Sequence, residues 1–520
     1  MITNQQALVI ANQLQQGNIM EHFKHAVERV PDRMAIADST GEISFKELQI
    51  QINLTQQYFH NKGLNPGDRV LVFIPMSIEL YIHVLALFQM GCTAVFVDEW
   101  ANIQRLQLSC SIANCKGFIG IPVARIMGVF FKEIREIPIW ISQKKLKKFR
   151  STAKDHSFID LKHIDATCES ALITFTTGST GIPKAANRTH QFLHQQFTAL
   201  QGTIQTQDQT VDLPVLPIVL MMNLGLGVSS VIAKWNSKKP QTLDAESIAN
   251  QCERHGVNRI IASPYFIQTL AKKAKGTHNY LSEHILQIFS GGAPVFPTDA
   301  KTWHTAFHGA KMGIVYGSTE AEPIAVIDGK KLIDTHVERG LCVGHISDFT
   351  KVVILPLDWG NSAFSVGLGV SEIGEIVVSG DHVLNAYFGS MAAQWTAESK
   401  IFIDGICWHK TGDAGYIDQN GLLFLVGRCN QIIAYEQQQL YPFLIENALQ
   451  QGPKIKMGTI LQNRNELVYC LDVENGFKEQ EFVGYLQLKN LPQGIIKVLQ
   501  IPRDPRHFSK IDYPKLRSLL

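Results

Sequence analysis

Thr174-Phe175-Thr176-Thr177-Gly178-Ser179-Thr180-Gly181-Ile182-Pro183-Lys184 runs from a buried apolar strand into a loop rich in small and hydroxyl-bearing residues. Gly178 and Gly181 let the backbone turn tightly and come close to a ligand. Thr176, Thr177, Ser179 and Thr180, with the exposed amides between them, donate to phosphate oxygens, and Lys184 adds a positive charge. The spacing differs from the P-loop, where Gly-Lys-Ser/Thr follows four residues after a first glycine, so an ordinary P-loop NTPase is disfavoured. A helix is expected next, with Phe192, Leu193, Phe197 and Leu200 on its apolar side.

Outward from the loop, short apolar runs alternate with helical patterns, as in parallel βαβ architecture. Arg69 to Ile74 reads as a strand and Ile78 to Met90 as a helix closed by Gly91. Further strands are expected at Ala94–Val97, Leu172–Phe175, Arg259–Ala262, Gln287–Phe289 and Gly313–Val315. Glycine, proline or small polar residues follow each strand, as expected where strand ends open onto a ligand crevice.

Four more segments repeat this chemistry in order: Ser290-Gly-Gly-Ala-Pro294, Tyr316-Gly-Ser-Thr-Glu320, Gly374-Glu-Ile-Val-Val-Ser-Gly380 and Thr411-Gly-Asp413. Gly427-Arg428 and a basic motif around Lys510 close the series. Together with the loop at Thr176 to Lys184, this set resembles the adenylate-forming superfamily of acyl- and aryl-CoA ligases, luciferases and peptide-synthetase adenylation domains.

The resemblance implies an α/β fold, with a large layered N-terminal domain of mostly parallel sheets over residues 1–427. A hinge would follow at 428–430, then a small mobile α+β domain over 431–520. It also implies ATP and Mg²⁺ as cofactors. Thr176, Thr177, Gly178, Ser179, Thr180, Gly181 and Lys184 would surround the phosphates. Gly292, Ala293 and Pro294 would line the adenine, with Tyr316 stacked on it and Gly317 and Ser318 beside it. Thr319 would contact the α-phosphate, and Glu320 would hold Mg²⁺, a hard cation suited to carboxylate and phosphate oxygens. Asp413 would accept from the ribose hydroxyls, with Arg428 nearby. Lys510 would reach over from the C-terminal domain and stabilise negative charge as the carboxylate attacks ATP. Taken singly, Asp413 could equally be a turn residue and Glu320 a helix-end charge.

Other stretches look like the β-lactone synthetases of long-chain olefin biosynthesis. They are Phe118-Ile-Gly-Ile-Pro122, Leu213-Pro-Val-Leu-Pro217, Glu320-Ala-Glu-Pro323, Trp408-His409 and Asp504-Pro-Arg-His-Phe-Ser-Lys510. In CoA ligases the segment after Gly-Arg carries Asp or Lys, then a lysine, then a glycine in a loop that swings to the thiol site. Here those positions read Asn430, Ala434 and Gln437. Replacing that glycine by glutamine removes easy access to positive φ and fills space a pantetheine arm would need; plain drift of the loop is the alternative. The resemblance therefore implies adenylation of a lipid-like carboxylic acid, foremost a 3-hydroxy acid cyclised to a β-lactone. A fatty acyl-CoA or acyl-carrier ligase using CoA stands as the alternative, and a non-catalytic nucleotide-binding protein as the rival of another class. His190 is a candidate polar residue beside the phosphate loop, with helix capping or exposure the plainer reading.

Composition narrows the rest. Of 520 residues 45% are apolar and 18% charged, enough to bury a large core, and 48 basic against 46 acidic side chains leave a net charge of +2. That near-neutral balance gives no electrostatic case for nucleic acid. The nine cysteines include no pair separated by just two residues, which argues against a disulfide scaffold or a zinc ribbon, and the N-terminus has no secretory pattern, so a cytoplasmic setting is expected. Leu213 to Ala233 carries no formal charge, but Pro214, Pro217, Asn223 and the glycines interrupt it, so buried strand and loop are expected rather than a membrane span, with Leu213 to Met222 a candidate wall for an acyl pocket. Lys144 to Arg150 is a basic run: a surface helix end or linker, or a patch for peripheral membrane or acidic-partner association. Trp359 to Ser365 reads as a loop.

Overall fold

A computed structural model describes residues 17–97, 103–121, 128, 130–153, 169–177, 183–274, 279–358, 367–504 and 508–520. Gly178, Ser179, Thr180, Gly181, Pro122, Cys168 and the expected loop at Trp359 to Ser365 lie outside the described residues.

Two sheets build the large N-terminal domain. In the six-stranded one, Ile139–Ile141, Gly117–Gly120, Arg69–Phe73, Thr93–Phe96, Ser170–Thr177 and Pro183–Thr189 lie side by side in that order. All neighbours but the last pair are parallel. Val70, Leu71 and Val72 are buried in a row, the mark of a strand covered on both faces. The helix Ile78–Gln89 packs on this sheet; the Ser77 side chain caps it by accepting from the Leu80 N–H at 3.3 Å.

The second sheet has 14 strands, with parallel pairing at its centre and antiparallel strands extending it. Val211–Pro214, Arg259–Ala262, Gln287–Gly291 and Lys311–Ser318 run parallel, with their C-terminal ends together. At the opposite, N-terminal ends of these strands Arg259 pairs with Asp212 at 3.1 Å, both side chains almost wholly buried. Asn223 completes the knot, donating to Asp212 at 2.7 Å and accepting from Arg259 at 3.1 Å.

The smaller C-terminal domain carries a three-stranded sheet of Ile455–Asn463, Glu466–Val473 and Ile495–Val498. Its own core gathers Ile445, Leu449, Tyr469, Leu471, Phe482 and Leu486.

Three expectations change, and the surface-helix reading of Lys144 to Arg150 holds. The segment after the phosphate loop is first a strand, Pro183–Thr189, antiparallel to Ser170–Thr177 with Thr176 opposite Lys184, and the helix starts only at His190. The two strands pair antiparallel, which keeps Lys184 level with Thr176. Leu213 to Ala233 is strand, helix and strand rather than strand and loop: Pro217 occupies the first turn of the helix Pro217–Leu226, where its missing N–H costs nothing, and Gly227 ends it at φ 74. His190 is neither a cap nor exposed. Thr189 caps the helix, and His190 is buried, its Nδ1 accepting from the Ile19 N–H at 3.3 Å; burial, with His194 nearby, pushes it down to about 4. Lys144 to Arg150 belongs to the surface helix Gln143–Thr152, anchored by buried Leu146 and by Arg150, which grips Glu79 at 2.6 Å. Among the described residues no helix is long and apolar enough to cross a membrane.

Candidate active site

One cleft of about 1150 Å³ opens where the two sheets and the C-terminal domain meet. Thr176, Lys184, Gly292, Ala293, Pro294, Tyr316, Gly317, Ser318, Thr319, Glu320, Asp413, Arg428 and Lys510 all line it. Of the expected site residues that are described, only Thr177 is not part of its wall; it sits one position further along the hairpin, opposite Pro183.

Each part arrives by a simple local device. The strand Gln287–Gly291 gives way to Gly292, whose φ of 82 turns the chain across the mouth of the cleft and exposes Ala293 and Pro294. Thr319 and Glu320 are the two residues of the tight turn joining the antiparallel strands Lys311–Ser318 and Ala321–Asp328. Glu320 is therefore not a helix-end charge. Arg188 donates to the Thr319 carbonyl at 3.3 Å, and Ser318 Oγ accepts from the Glu320 N–H at 3.3 Å. Asp413 lies inside the strand Ile406–Ile417, directly opposite Arg428, and not in a turn.

Both oxygens of Asp413 are engaged. Tyr316 donates its hydroxyl to Oδ2 at 2.7 Å, and Arg428 Nε meets Oδ1 at 3.0 Å. Arg428 also donates to the Thr411 carbonyl at 2.9 Å. Burial and the neighbouring carboxylate raise the Tyr316 phenol well above its ordinary range, so it stays a donor. A carboxylate has roughly four acceptor positions, so Asp413 keeps capacity for hydroxyl groups of a ligand.

Around Glu320 stands a group of which motif reading named only Lys184 and His409, missing Tyr387, Lys400, Glu398 and Ser399. Tyr387 donates to Glu320 Oε1 at 3.1 Å. Lys184 and Lys400 lie against the Tyr387 ring, at 5.6 and 5.8 Å from its centre. Lys184 is held by Ser399 Oγ at 2.9 Å and Glu398 at 3.2 Å, and His409 Nδ1 meets the Ser399 carbonyl at 3.1 Å. Burial by itself would raise the Glu320 carboxyl, but His409, Lys400 and the Tyr387 hydroxyl outweigh it and hold the group below its usual value. Burial pushes Lys400 down to about 8. A signal for this cluster existed in the sequence. Asp404-Gly405 is a two-residue hairpin turn, with φ of 49 and 77, and counting back from it sets Lys400 opposite His409.

The donor set suits a divalent cation shared with a ligand. Among the described residues no group of three or more His, Cys, Asp or Glu could hold a metal alone. A single ionised carboxylate, Glu320, matches the way Mg²⁺ is taken up by one or two carboxylates plus substrate phosphates.

Lys510 reaches the rim from the C-terminal domain. Asp504 Oδ1 accepts from the backbone N–H groups of Ser509 and Lys510, at 3.1 and 2.7 Å, and fixes the turn. Ser509 Oγ accepts from the Tyr265 N–H at 3.1 Å, and Phe508 packs edge-on against the Tyr265 ring at 4.9 Å. A second tie joins Thr298 to Gln450 at 3.2 Å. Both domains are thus closed on the cleft.

The segment after Arg428 forms the hairpin Ile433–Tyr435 and Gln438–Leu440. Its left-handed residue is Glu436, at φ 54, rather than the glutamine next to it, so the turn forms without glycine, and Ala434 and Gln437 are exposed.

Comparison with known proteins follows the same lines. The model of the AMP-binding enzyme family matches residues 23–388. The chain is similar to an olefin beta-lactone synthetase of Xanthomonas campestris pv. campestris, 28% identical over 563 aligned positions covering 96% of each chain. It is also 28% identical to an olefin beta-lactone synthetase of Stenotrophomonas maltophilia, over 79% of this chain and 77% of that one. Among solved structures, ATP-bound MatB from Rhodopseudomonas palustris superposes with a TM-score of 0.80 at 19% identity, covering 97% of this chain and 99% of that one.

Proposed function

We propose, from the premise that this chain belongs to the AMP-binding enzyme family and forms acyl adenylates from ATP, that its substrate is a long-chain 3-hydroxy acid and its product a β-lactone. The observation that carries this reading is the single cleft that unites Lys184, Thr319, Glu320, Asp413 and Arg428 with Lys510.

In this reading Asp413 accepts from the ribose hydroxyls while Tyr316 and Arg428 fix its orientation. Gly292, Ala293 and Pro294 hold the adenine, and Thr319 and Lys184 bind phosphate oxygens. Mg²⁺, held by Glu320 and the phosphates, supplies charge neutralisation when bound. A carboxylate oxygen of the acid attacks the α-phosphorus, the bond to the bridging oxygen breaks and pyrophosphate leaves. Lys510 stabilises the negative charge that builds on the α-phosphoryl oxygens. The 3-hydroxyl oxygen then attacks the acyl carbon and loses its proton, and the bond from that carbon to the AMP oxygen breaks. The nucleophile is part of the substrate, so proximity is built in and no second substrate has to enter.

Two features support the aliphatic acid. The wall formed by Met76, Leu80, Val84, Leu216, Ile218 and Met221 is apolar, and the relatives named above are olefin beta-lactone synthetases. The second reading, a CoA or carrier ligase, gains from the hairpin at Glu436, which turns without the glycine whose loss would have argued against it. We take the domains as 1–427 and 431–520 about a hinge at 428–430, where the short helical turn Cys429–Gln431 begins. A cytoplasmic setting belongs to the same proposal, in keeping with the free thiols of the eight described cysteines. Acid-dependent exchange of labelled pyrophosphate into ATP tests the adenylation step: exchange with long aliphatic acids and not with aromatic ones supports the reading, and the reverse overturns it.

A further inference from the structure

The helix His190–Thr203 turns Leu193, Phe197 and Leu200 toward the core, at the spacing of an apolar stripe. Gln196 occupies a place in that same stripe. Its side chain is 1% exposed, and among the described residues neither its Nε2 nor its Oε1 has a hydrogen-bond partner. A buried carboxamide without partners is costly, and a leucine would fill the same position without that cost.

Gln196 faces a second cavity, of about 40 Å³, between this helix and the helices Met20–Arg29, Ile78–Gln89 and Pro217–Leu226. Its walls are otherwise mainly apolar, with Phe23, Leu85, Phe88 and Leu224 among them. Ile218 and Met221 line both this cavity and the main cleft, so these two side chains form the partition between them. Methionine is unbranched and changes rotamer readily, so the partition can yield to an entering chain.

We infer that this cavity is the terminal compartment of the acyl site, and that it receives a chain end bearing a hydroxyl or carbonyl oxygen hydrogen-bonded to Gln196. The inference rests on the adenylation reading above. Such an end group satisfies the carboxamide, whereas a methyl end leaves it unpaired. A site built around a hydrogen bond discriminates strongly against the analogue that lacks it.

The test uses the full chain with Mg·ATP, pyrophosphate release, and straight-chain acids of increasing length ending in either methyl or hydroxyl. Beyond the length that passes Met221, the hydroxyl-ended acid is expected to have a kcat/KM about ten-fold or more above its methyl-ended partner. Gln196→Leu should abolish or invert that ratio, with short acids in the same variant as the internal reference and a melting curve as the folding control. Met221→Trp should remove turnover of long acids relative to short ones. An end-group ratio near unity in the unaltered protein, a ratio that Gln196→Leu does not move, or failure of every long acid while short acids react would each overturn the inference. Absence of pyrophosphate release with any acid would instead overturn the adenylation reading itself.

Discussion

Tyr316 and Asp413 stand 97 residues apart and share a hydrogen bond of 2.7 Å across the floor of the cleft. Arg428 closes on the other carboxylate oxygen at 3.0 Å. One strand end, one mid-strand residue and its cross-strand neighbour thereby orient a single carboxylate before any nucleotide enters. Preorganisation of this kind lowers what binding has to spend on ordering side chains.

Asp413→Asn keeps the shape but weakens the pairing with Arg428 and turns an acceptor-only group into a mixed one. We expect KM for ATP to rise by about 10- to 100-fold, as for loss of a charged hydrogen bond worth about 1.5–3 kcal/mol. Affinity for the acid should change much less. Steady-state kinetics with each substrate varied separately provide the check.

In the proposed mechanism Lys510 would contribute charge to the first step from the small domain. Lys510→Ala should lower the rate of pyrophosphate release by about 100- to 1000-fold, the scale for losing one preorganised stabiliser. Binding of a nucleotide analogue should survive, because Asp413 and Tyr316 lie in the other domain and Arg428, at the hinge, is paired with Asp413. Single-turnover release together with equilibrium binding separates the two effects.

Glu446, in the wall of the cleft on the C-terminal-domain side, offers a pH test of stability. It is buried, and it accepts from Thr459 at 2.7 Å and from Tyr513. Burial raises it from 4.5 to about 7. The folded protein therefore holds a proton that the unfolded chain releases earlier, so this group's contribution is full at low pH and is lost as pH rises through about 7. Glu446→Gln should raise stability by roughly 1–3 kcal/mol at alkaline pH and flatten the dependence between the two values. Denaturant melts across that range decide it, and a variant that falls in parallel with the parent would count against the assignment.

Arg259 and Asp212 form the buried pair at the N-terminal ends of the central parallel strands. Arg259→Met strands a carboxylate that burial already pushes upward in pKa. A loss of about 3–5 kcal/mol is expected, the usual result of breaking a buried pair from one side. Asp212→Asn combined with Arg259→Met should recover part of it, as a double-mutant cycle would measure.

Much of this was legible from sequence because short-range chemistry decided it. Apolar runs ending in glycine or proline gave the parallel strands at Arg69–Phe73 and Arg259–Ala262, and the ordered motifs brought Thr319, Glu320, Asp413 and Lys510 to one cleft. What stayed hidden depended on pairing between distant segments. Tyr387 reaches Glu320 across 67 positions, and no local pattern announces that contact. Lys400 could have been found by counting back from Asp404-Gly405, a turn that fixes register. The helix Pro217–Leu226 was hidden for another reason: Pro217 reads as a breaker until the first turn is recognised as its natural place.

The most direct test of the central claim is product analysis by mass spectrometry with purified protein and Mg·ATP. A long-chain 2-alkyl-3-hydroxy acid and the matching plain acid would each be offered with and without CoA. A β-lactone-forming enzyme yields AMP and a product one water lighter than the hydroxy acid, formed without CoA. A thioester formed from the plain acid, and only when CoA is present, would contradict that function and make the protein an acyl-CoA ligase.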